Sequence, residues 1–239
     1  MAGGAFVAGT IWQMPAVVLD PLARHLCNDQ CHLVNASGTV WSGSGQVEIR
    51  DASGHFDLAQ NLMWTLQPAS LLAGHLVFAV ESGHGTPPFL VTIGPRNITA
   101  ANVDVALSAH VLGLMAPRLA PLGLTGDVRV HADKLMLAHG ELTGEAILYW
   151  RSAGSMLTTV RPLGEYELRI NAGDGTTHAS LQTLTGPVQL DGDGSWKQGD
   201  APAFAANAQI PPEQREQLTP LLRLIAIDQG SGRFTLQIR

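Results

Sequence analysis

Hydrophobic positions in this chain fall into short runs with two different spacings. Three runs have the spacing of one helix face, at residues 15–26, 108–119 and 211–225. Proline occurs near the start of the first and third runs, where it suits the first turn of a helix. We therefore predict three short helices.

Most of the remaining apolar positions alternate with polar ones, which is typical of strands. In residues 76–80 and 146–150 both alternating faces are partly apolar, which fits sheets covered on each side. In the first half we predict a hairpin over residues 37–50 with its break at 42–45, and strands at 56–66 and 75–80. In the second half the predicted strands are 127–131, 135–137, 144–150, 166–170, 181–190, 194–196, 203–210 and 233–238. The 26 glycines and 14 prolines cut the chain into brief segments and disfavour long helices. The predicted fold is mainly β, with one or more long twisted antiparallel sheets forming a groove or a sandwich.

The strand blocks show a weak internal similarity. Gly38 corresponds to Gly126 and Trp64 to Trp150, and each tryptophan is soon followed by Ser-Leu-Leu or Ser-Met-Leu. One interpretation is a repeat, residues 13–107 and 108–239, within a single β-rich domain spanning 13–239. The alternative is chance similarity between leucine-rich segments.

Charge argues against nucleic acid as a partner. The charged fraction is 14%, below the roughly 25% of an average globular protein. The net charge is −6, and the 14 lysines and arginines are scattered singly along the chain. No basic stripe is available to neutralise phosphates.

An apolar stretch, Ala5 to Trp12, lies near the N-terminus. It is shorter than the ~18 to 20 apolar residues that a membrane-spanning helix needs. Our hypothesis is that residues 1–12 are the remnant of an N-terminal membrane anchor, with Trp12 at the membrane interface. The alternative is an ordinary frayed N-terminus.

Cys27 and Cys31 are the two cysteines of the chain, and a second pair that would complete a zinc site is missing. We predict a local disulfide, worth roughly 2 kcal/mol in the chain-entropy model, which favours an oxidising compartment. Two buried free thiols are the alternative.

Catalytic chemistry finds little support in the sequence. Residues 42–45 (SGSG) lie between strand patterns, unlike the strand-to-helix elbow of a nucleophilic serine. Residues 191–194 (DGDG) lack the glutamate and spacing of a calcium loop, so we interpret them as a tight turn. We therefore expect no catalytic, cofactor or metal site.

Three segments carry a family resemblance: residues 36–43 (ASGTVWSG), 161–168 (RPLGEYEL) and 181–188 (LQTLTGPV). In this order and spacing, together with residues 192–196 (GDGSW) and the closing helix and strand, the chain resembles type II secretion system protein N. Ten residues make up the structural motif: Gly38, Trp41, Gly43, Trp64, Trp150, Pro162, Gly164, Tyr166, Gly194 and Trp196. We expect Trp41 to be buried and Ser42 to be structural.

The resemblance implies a periplasmic domain anchored in the bacterial inner membrane by one N-terminal helix. It also implies an accessory scaffold that contacts the outer-membrane secretin (protein D) and the inner-membrane platform proteins C, L and M during export of folded proteins. The family is similar to AsmA-like envelope proteins, so the alternative is a β-groove that binds lipid.

Overall fold

The computed structural model describes residues 14–26, 31–50, 56–83, 86–115 and 119–238. The chain is mainly β, with 62% of it in strands, which confirms the predicted fold class. It divides into two compact units, Met1–Pro95 and Arg96–Arg239. This boundary differs from the one at 107/108 predicted for the repeat, and the repeat within a single domain stays a prediction.

The first unit is an antiparallel meander in which strands β1 to β5 lie side by side in chain order. Its elements are a 3-10 helix Ala16–Val18, α1 Leu19–Leu26, β1 Cys31–Gly38, β2 Ser42–Arg50, β3 Phe56–Leu66, a 3-10 helix Pro68–Ala73, β4 Leu76–Ser82 and β5 Phe89–Ile93. Successive side chains of a strand point to opposite faces of its sheet. In β3, Trp64 and Leu66 point to one face and are buried, whereas Met63 points to the other face and is 49% exposed.

In the second unit, strands β6 to β12 lie side by side in chain order, followed by β14 and then by β13 at the edge. Its elements are β6 Asn97–Ser108, α2 His110–Met115, a 3-10 helix Ala120–Leu122, β7 Leu124–Ala138, β8 Glu141–Ser155, β9 Gly164–Gly173, β10 Thr176–Thr185, β11 Gln189–Lys197, β12 Phe204–Gln209, a 3-10 helix Pro212–Gln214, α3 Arg215–Leu222, β13 Ile227–Gly230 and β14 Arg233–Ile238.

The main core of the second unit forms where α2 and α3 pack against the sheet. Leu218 of α3 and Phe234 of β14 are almost fully buried there, beside Val128 of β7. The described strands of this unit lie in one sheet rather than in two stacked sheets. This arrangement favours the predicted groove over the predicted sandwich.

The apolar face of this sheet includes a row of residues in register across five strands, two of which, Val130 and Leu148, pack against the core. The row consists of Val105, Val130, Leu148, Leu168 and Leu181, all half-buried. Neighbouring positions such as Arg129, Arg169 and Ser180 are exposed. One face of the sheet is therefore apolar, and the other is mixed, since Ile147 and Tyr149 lie there beside the exposed arginines.

Two predictions are wrong because a glycine-rich segment was interpreted as a break or a turn. Residues 42–45 belong to β2, and 191–194 belong to β11, so neither forms the predicted break or tight turn. A Cβ on Gly43 would lie 2.7 Å from the Trp64 ring, and one on Gly192 would lie 2.7 Å from the Ala205 carbonyl oxygen. These glycines permit close packing inside strands.

The other corrections concern where elements end. The predicted strand 181–190 is two strands, β10 and β11, separated at residues 186–188. The helix predicted over 108–119 spans His110–Met115, and residues 116–118 lie outside the described ones. The 3-10 helix Pro68–Ala73 was missed.

No helix within the described part of the chain is both long and apolar enough to cross a membrane. The predicted anchor remnant, residues 1–12, lies outside that part.

Candidate functional site

The first motif segment forms the tight connection between β1 and β2. Gly38 adopts a left-handed φ of +86°, and the Thr39 N–H donates to the Ser42 carbonyl at 2.9 Å. The Trp64 indole N–H reaches over from β3 and donates to the Thr39 carbonyl at 3.2 Å. Trp41, predicted to be buried, is half-buried in this connection, and Trp64 is the buried indole.

A matching arrangement occurs in the second unit. The Trp150 indole N–H donates to the Thr125 carbonyl at 3.0 Å, and Gly126 beside it has a φ of +112°. In both units the tryptophan bonds to a threonine 25 residues earlier. A side chain on Gly126 would approach the Trp150 indole nitrogen to 3.0 Å.

Tyr166, near the start of β9, contacts the loops on either side of it in the fold. Its hydroxyl lies 3.0 Å from the Val188 carbonyl oxygen and 3.2 Å from that of Leu163, and its ring centroid is 5.6 Å from that of Trp150. Burial raises the pKa of the Tyr166 phenol well above its ordinary value. A Cβ on Gly164 would lie 2.8 Å from the same ring.

The other motif residues are apart from this cluster or at its margin. Pro162 follows a cis peptide bond and is exposed. Gly194 lies opposite Phe204 in the β11–β12 pair, and the half-buried Trp196 lies opposite Thr177 in the β10–β11 pair. The motif therefore forms two packing centres, one in each unit, rather than one reactive site.

The predicted disulfide falls partly outside the described residues. Cys31 is buried at the start of β1, whereas Cys27 is not described. The Cys27–Cys31 pairing stays a prediction.

Two carboxylates fasten helices to the sheet. For Asp20 of α1, burial pushes the pKa up, but hydrogen bonds from the Leu33 N–H at 2.9 Å and from Arg24 outweigh it, leaving the pKa lowered. The Asp228 pKa is lowered by hydrogen bonds from Arg223 at the end of α3 and from the Gly230 N–H. Their geometry indicates a structural role.

The outermost strands of the two units differ in how their edges are protected. In β1 the Leu33 N–H is taken by Asp20, and next to this strand Thr39 forms a bridge with Pro15. In the described part of the chain, β13 pairs with β14 alone, so its other edge faces no strand. Ile227 in this strand is 67% exposed and Leu224 just before it is 59% exposed. We call Leu224 together with Ile227–Gly230 the β13 edge.

A second set of exposed apolar side chains follows each motif tryptophan. Leu71 and Leu72 are 43% and 94% exposed, and Met156 and Leu157 are 73% and 55% exposed. The serine before each pair is buried: Ser70 Oγ bonds to the Gln67 carbonyl, and Ser155 Oγ to that of Leu122. The sequence pattern related these tripeptides to an internal repeat but did not predict their exposure. The run of uncharged residues around Leu72 could have indicated an exposed apolar surface.

Comparison with known proteins identifies the family. The family model described as type II secretion system (T2SS), protein N, matches residues 29–237. All three segments that carried the resemblance lie inside this match. No curated protein and no solved structure matches the chain. Because the match covers most of the sequence, the chain belongs to the type II secretion system protein N family and is a component of that system in the bacterial cell envelope.

Proposed function

We propose that this chain is an accessory scaffold of the type II secretion system. In this proposal an N-terminal helix anchors it in the inner membrane, and its periplasmic β-rich part bridges the secretin (protein D) and the platform proteins C, L and M. The family match supports membership in the machine. The finer contacts rest on the surface features below.

The observation that carries the proposal is the open β13 edge. An unpaired strand edge is a template for a strand from another chain, and proteins usually protect such edges. Each edge has one N–H occupied by a carboxylate, Leu33 by Asp20 at β1 and Gly230 by Asp228 at β13. The β13 edge differs in that Ile227 in the strand and Leu224 just before it are exposed and no further described strand pairs with it. This combination suits a strand-adding partner with an apolar side chain.

Binding to purified partners tests this proposal. We expect the chain to capture the periplasmic domains of the secretin or of a platform protein. The double substitution Leu224→Ser/Ile227→Ser should weaken capture by about tenfold or more, since burying one large apolar side chain is worth about a tenfold affinity. The matched control Leu71→Ser/Leu72→Ser removes comparable exposed apolar surface from the other unit and should leave capture unchanged. Failure to bind either class of partner would overturn the proposal.

A second candidate function is lipid binding along the apolar face of the second unit. The row from Val105 to Leu181 crosses five strands, about 19 Å at ~4.8 Å per strand. One leaflet's acyl chains span about 15 Å, half of the ~30 Å hydrocarbon core. A parallel row on the same face includes Ala146 and Ile170. These side chains have no hydrogen-bonding groups to leave unsatisfied, which suits a hydrocarbon occupant.

Native mass spectrometry of gently purified protein tests this second function. Lipid adducts are expected on the unaltered chain and should be lost in Ile170→Glu, which places a carboxylate in the apolar face. Asn171→Glu, on the opposite exposed face of the same strand, should retain them. Absence of lipid from the unaltered chain would contradict the idea.

A further inference from the structure

The first unit exposes apolar side chains from two segments that are far apart in sequence. Met14, Val17 and Val18 precede α1 and are 41%, 59% and 43% exposed. Leu71 and Leu72 project from the 3-10 helix Pro68–Ala73. We call these five residues the apolar rim.

Backbone hydrogen bonds bring both segments to the same connection between β1 and β2. The Val40 N–H donates to the Met14 carbonyl at 2.9 Å. The Leu66 N–H, just before the 3-10 helix, donates to the Trp41 carbonyl at 2.6 Å. The two exposed segments therefore flank residues 39–41 at one end of the sheet.

The 3-10 helix is held with its leucines outward. The buried Ser70 hydroxyl donates to the Gln67 carbonyl at 2.7 Å and accepts from the Val77 N–H at 3.1 Å. The Gly74 N–H donates to the Leu71 carbonyl at 3.1 Å. Because these backbone groups are already hydrogen-bonded, transferring the helix out of water costs less free energy than it would with unpaired polar groups.

The chemistry of the rim is uniform. Residues 14–18, 39–42 and 65–74 contain no Asp, Glu, Lys or Arg. The chain that leads directly into Met14 is itself apolar, from Ala5 to Trp12. An uncharged apolar surface continuous in sequence with an apolar segment fits the boundary between lipid headgroups and acyl chains.

We propose that the apolar rim inserts into the interface of the lipid bilayer and sets the height and tilt of the first unit above it. This inference rests on the proposed membrane anchoring and deepens it, because it names the surface that faces the lipid. Leu72, the most exposed of the five, would enter the headgroup boundary.

A polarity-sensitive fluorophore on an introduced cysteine tests the contact directly. The full chain carrying Leu72→Cys, labelled with NBD, is mixed with vesicles of phosphatidylethanolamine and phosphatidylglycerol. Its emission should shift to the blue and rise in intensity, whereas NBD at Ile227→Cys should not respond. Labelling of the unsubstituted chain measures any contribution from Cys27 and Cys31.

Vesicle sedimentation separates this inference from the anchoring on which it rests. Leu71→Ser/Leu72→Ser should weaken sedimentation by about tenfold or more, and Leu224→Ser/Ile227→Ser should not. Sedimentation without a response from NBD at position 72 would overturn the contact between the apolar rim and lipid while leaving the anchoring intact. That result would favour a protein partner for the apolar rim. Failure of the unaltered chain to sediment would overturn the rim contact, because all five residues of the apolar rim are present.

Discussion

Removing the Tyr166 hydroxyl tests whether the second packing centre stabilises the fold as its geometry indicates. In Tyr166→Phe the ring keeps its contact with Trp150, but the hydrogen bond to the Val188 carbonyl is lost. The Leu163 carbonyl keeps a partner, since it also accepts from the Val188 N–H at 3.0 Å. The buried Val188 carbonyl therefore loses the phenol donor.

The expected cost follows from leaving a buried acceptor unsatisfied. We expect the free energy of unfolding to fall by about 1–3 kcal/mol. In a domain of this size that corresponds to a fall in Tm of about 2–4 °C per kcal/mol. Urea unfolding followed by circular dichroism measures the change. Tyr149→Phe, at a half-buried position on β8, is the control and should shift stability by less than about 0.5 kcal/mol.

The raised pKa of Tyr166 adds a pH signature. An unfolded tyrosine ionises near pH 10, whereas the buried phenol resists ionisation, so the unfolded state binds fewer protons above that pH. Stability from this group is complete below pH about 10 and is lost as pH rises toward the folded-state pKa. Tyr166→Phe should flatten this alkaline loss. Equal stability of wild type and Tyr166→Phe at neutral pH, with identical alkaline slopes, would refute the reasoning.

Three further substitutions probe the strand contacts. Trp64→Phe removes the indole donor to the Thr39 carbonyl and should lower the free energy of unfolding by about 1–3 kcal/mol, measured by urea unfolding. Gln198→Ala removes an amide that donates to the Leu142 carbonyl and accepts from its N–H, both at 2.6 Å. Because water can replace these exposed bonds, a loss of about 0.5–1.5 kcal/mol and faster amide exchange at Leu142 are expected. Gly43→Ala places a methyl group 2.7 Å from the Trp64 ring and should cost about 1–3 kcal/mol, visible as a lower Tm; an unchanged Tm would contradict the packing.

Strands with regular alternation could be predicted from the sequence because burial of one face imposes its own period. Residues 56–66 were predicted as a strand and form β3 with those bounds. Residues 233–238 likewise form β14. Here local pattern and tertiary structure agree.

Glycine-rich strands could not be predicted in this way. Gly43 and Gly192 have the local signature of a turn, yet both lie inside strands. Glycine is required at these positions because neighbouring groups leave no room for a side chain. Crowding by a ring or by an adjacent backbone depends on strand register, which the sequence alone does not supply.

The candidate surfaces were hidden for a related reason. Leu72 and Ile227 have the same residue types as buried core positions, and only the structure distinguishes exposed from buried apolar side chains. The same holds for the two tryptophans of the first unit. Trp41 was predicted to be buried but is half-buried, whereas Trp64 on β3 is the buried one.

The central proposal, a scaffold that docks through the β13 edge, is tested most directly by photo-crosslinking in secreting cells. A photoreactive residue at Ile227 should crosslink to the secretin or to a platform protein, whereas the same residue at the exposed Asn171 should not. Crosslinks at neither position, or equal crosslinks at both, would contradict the proposed docking edge.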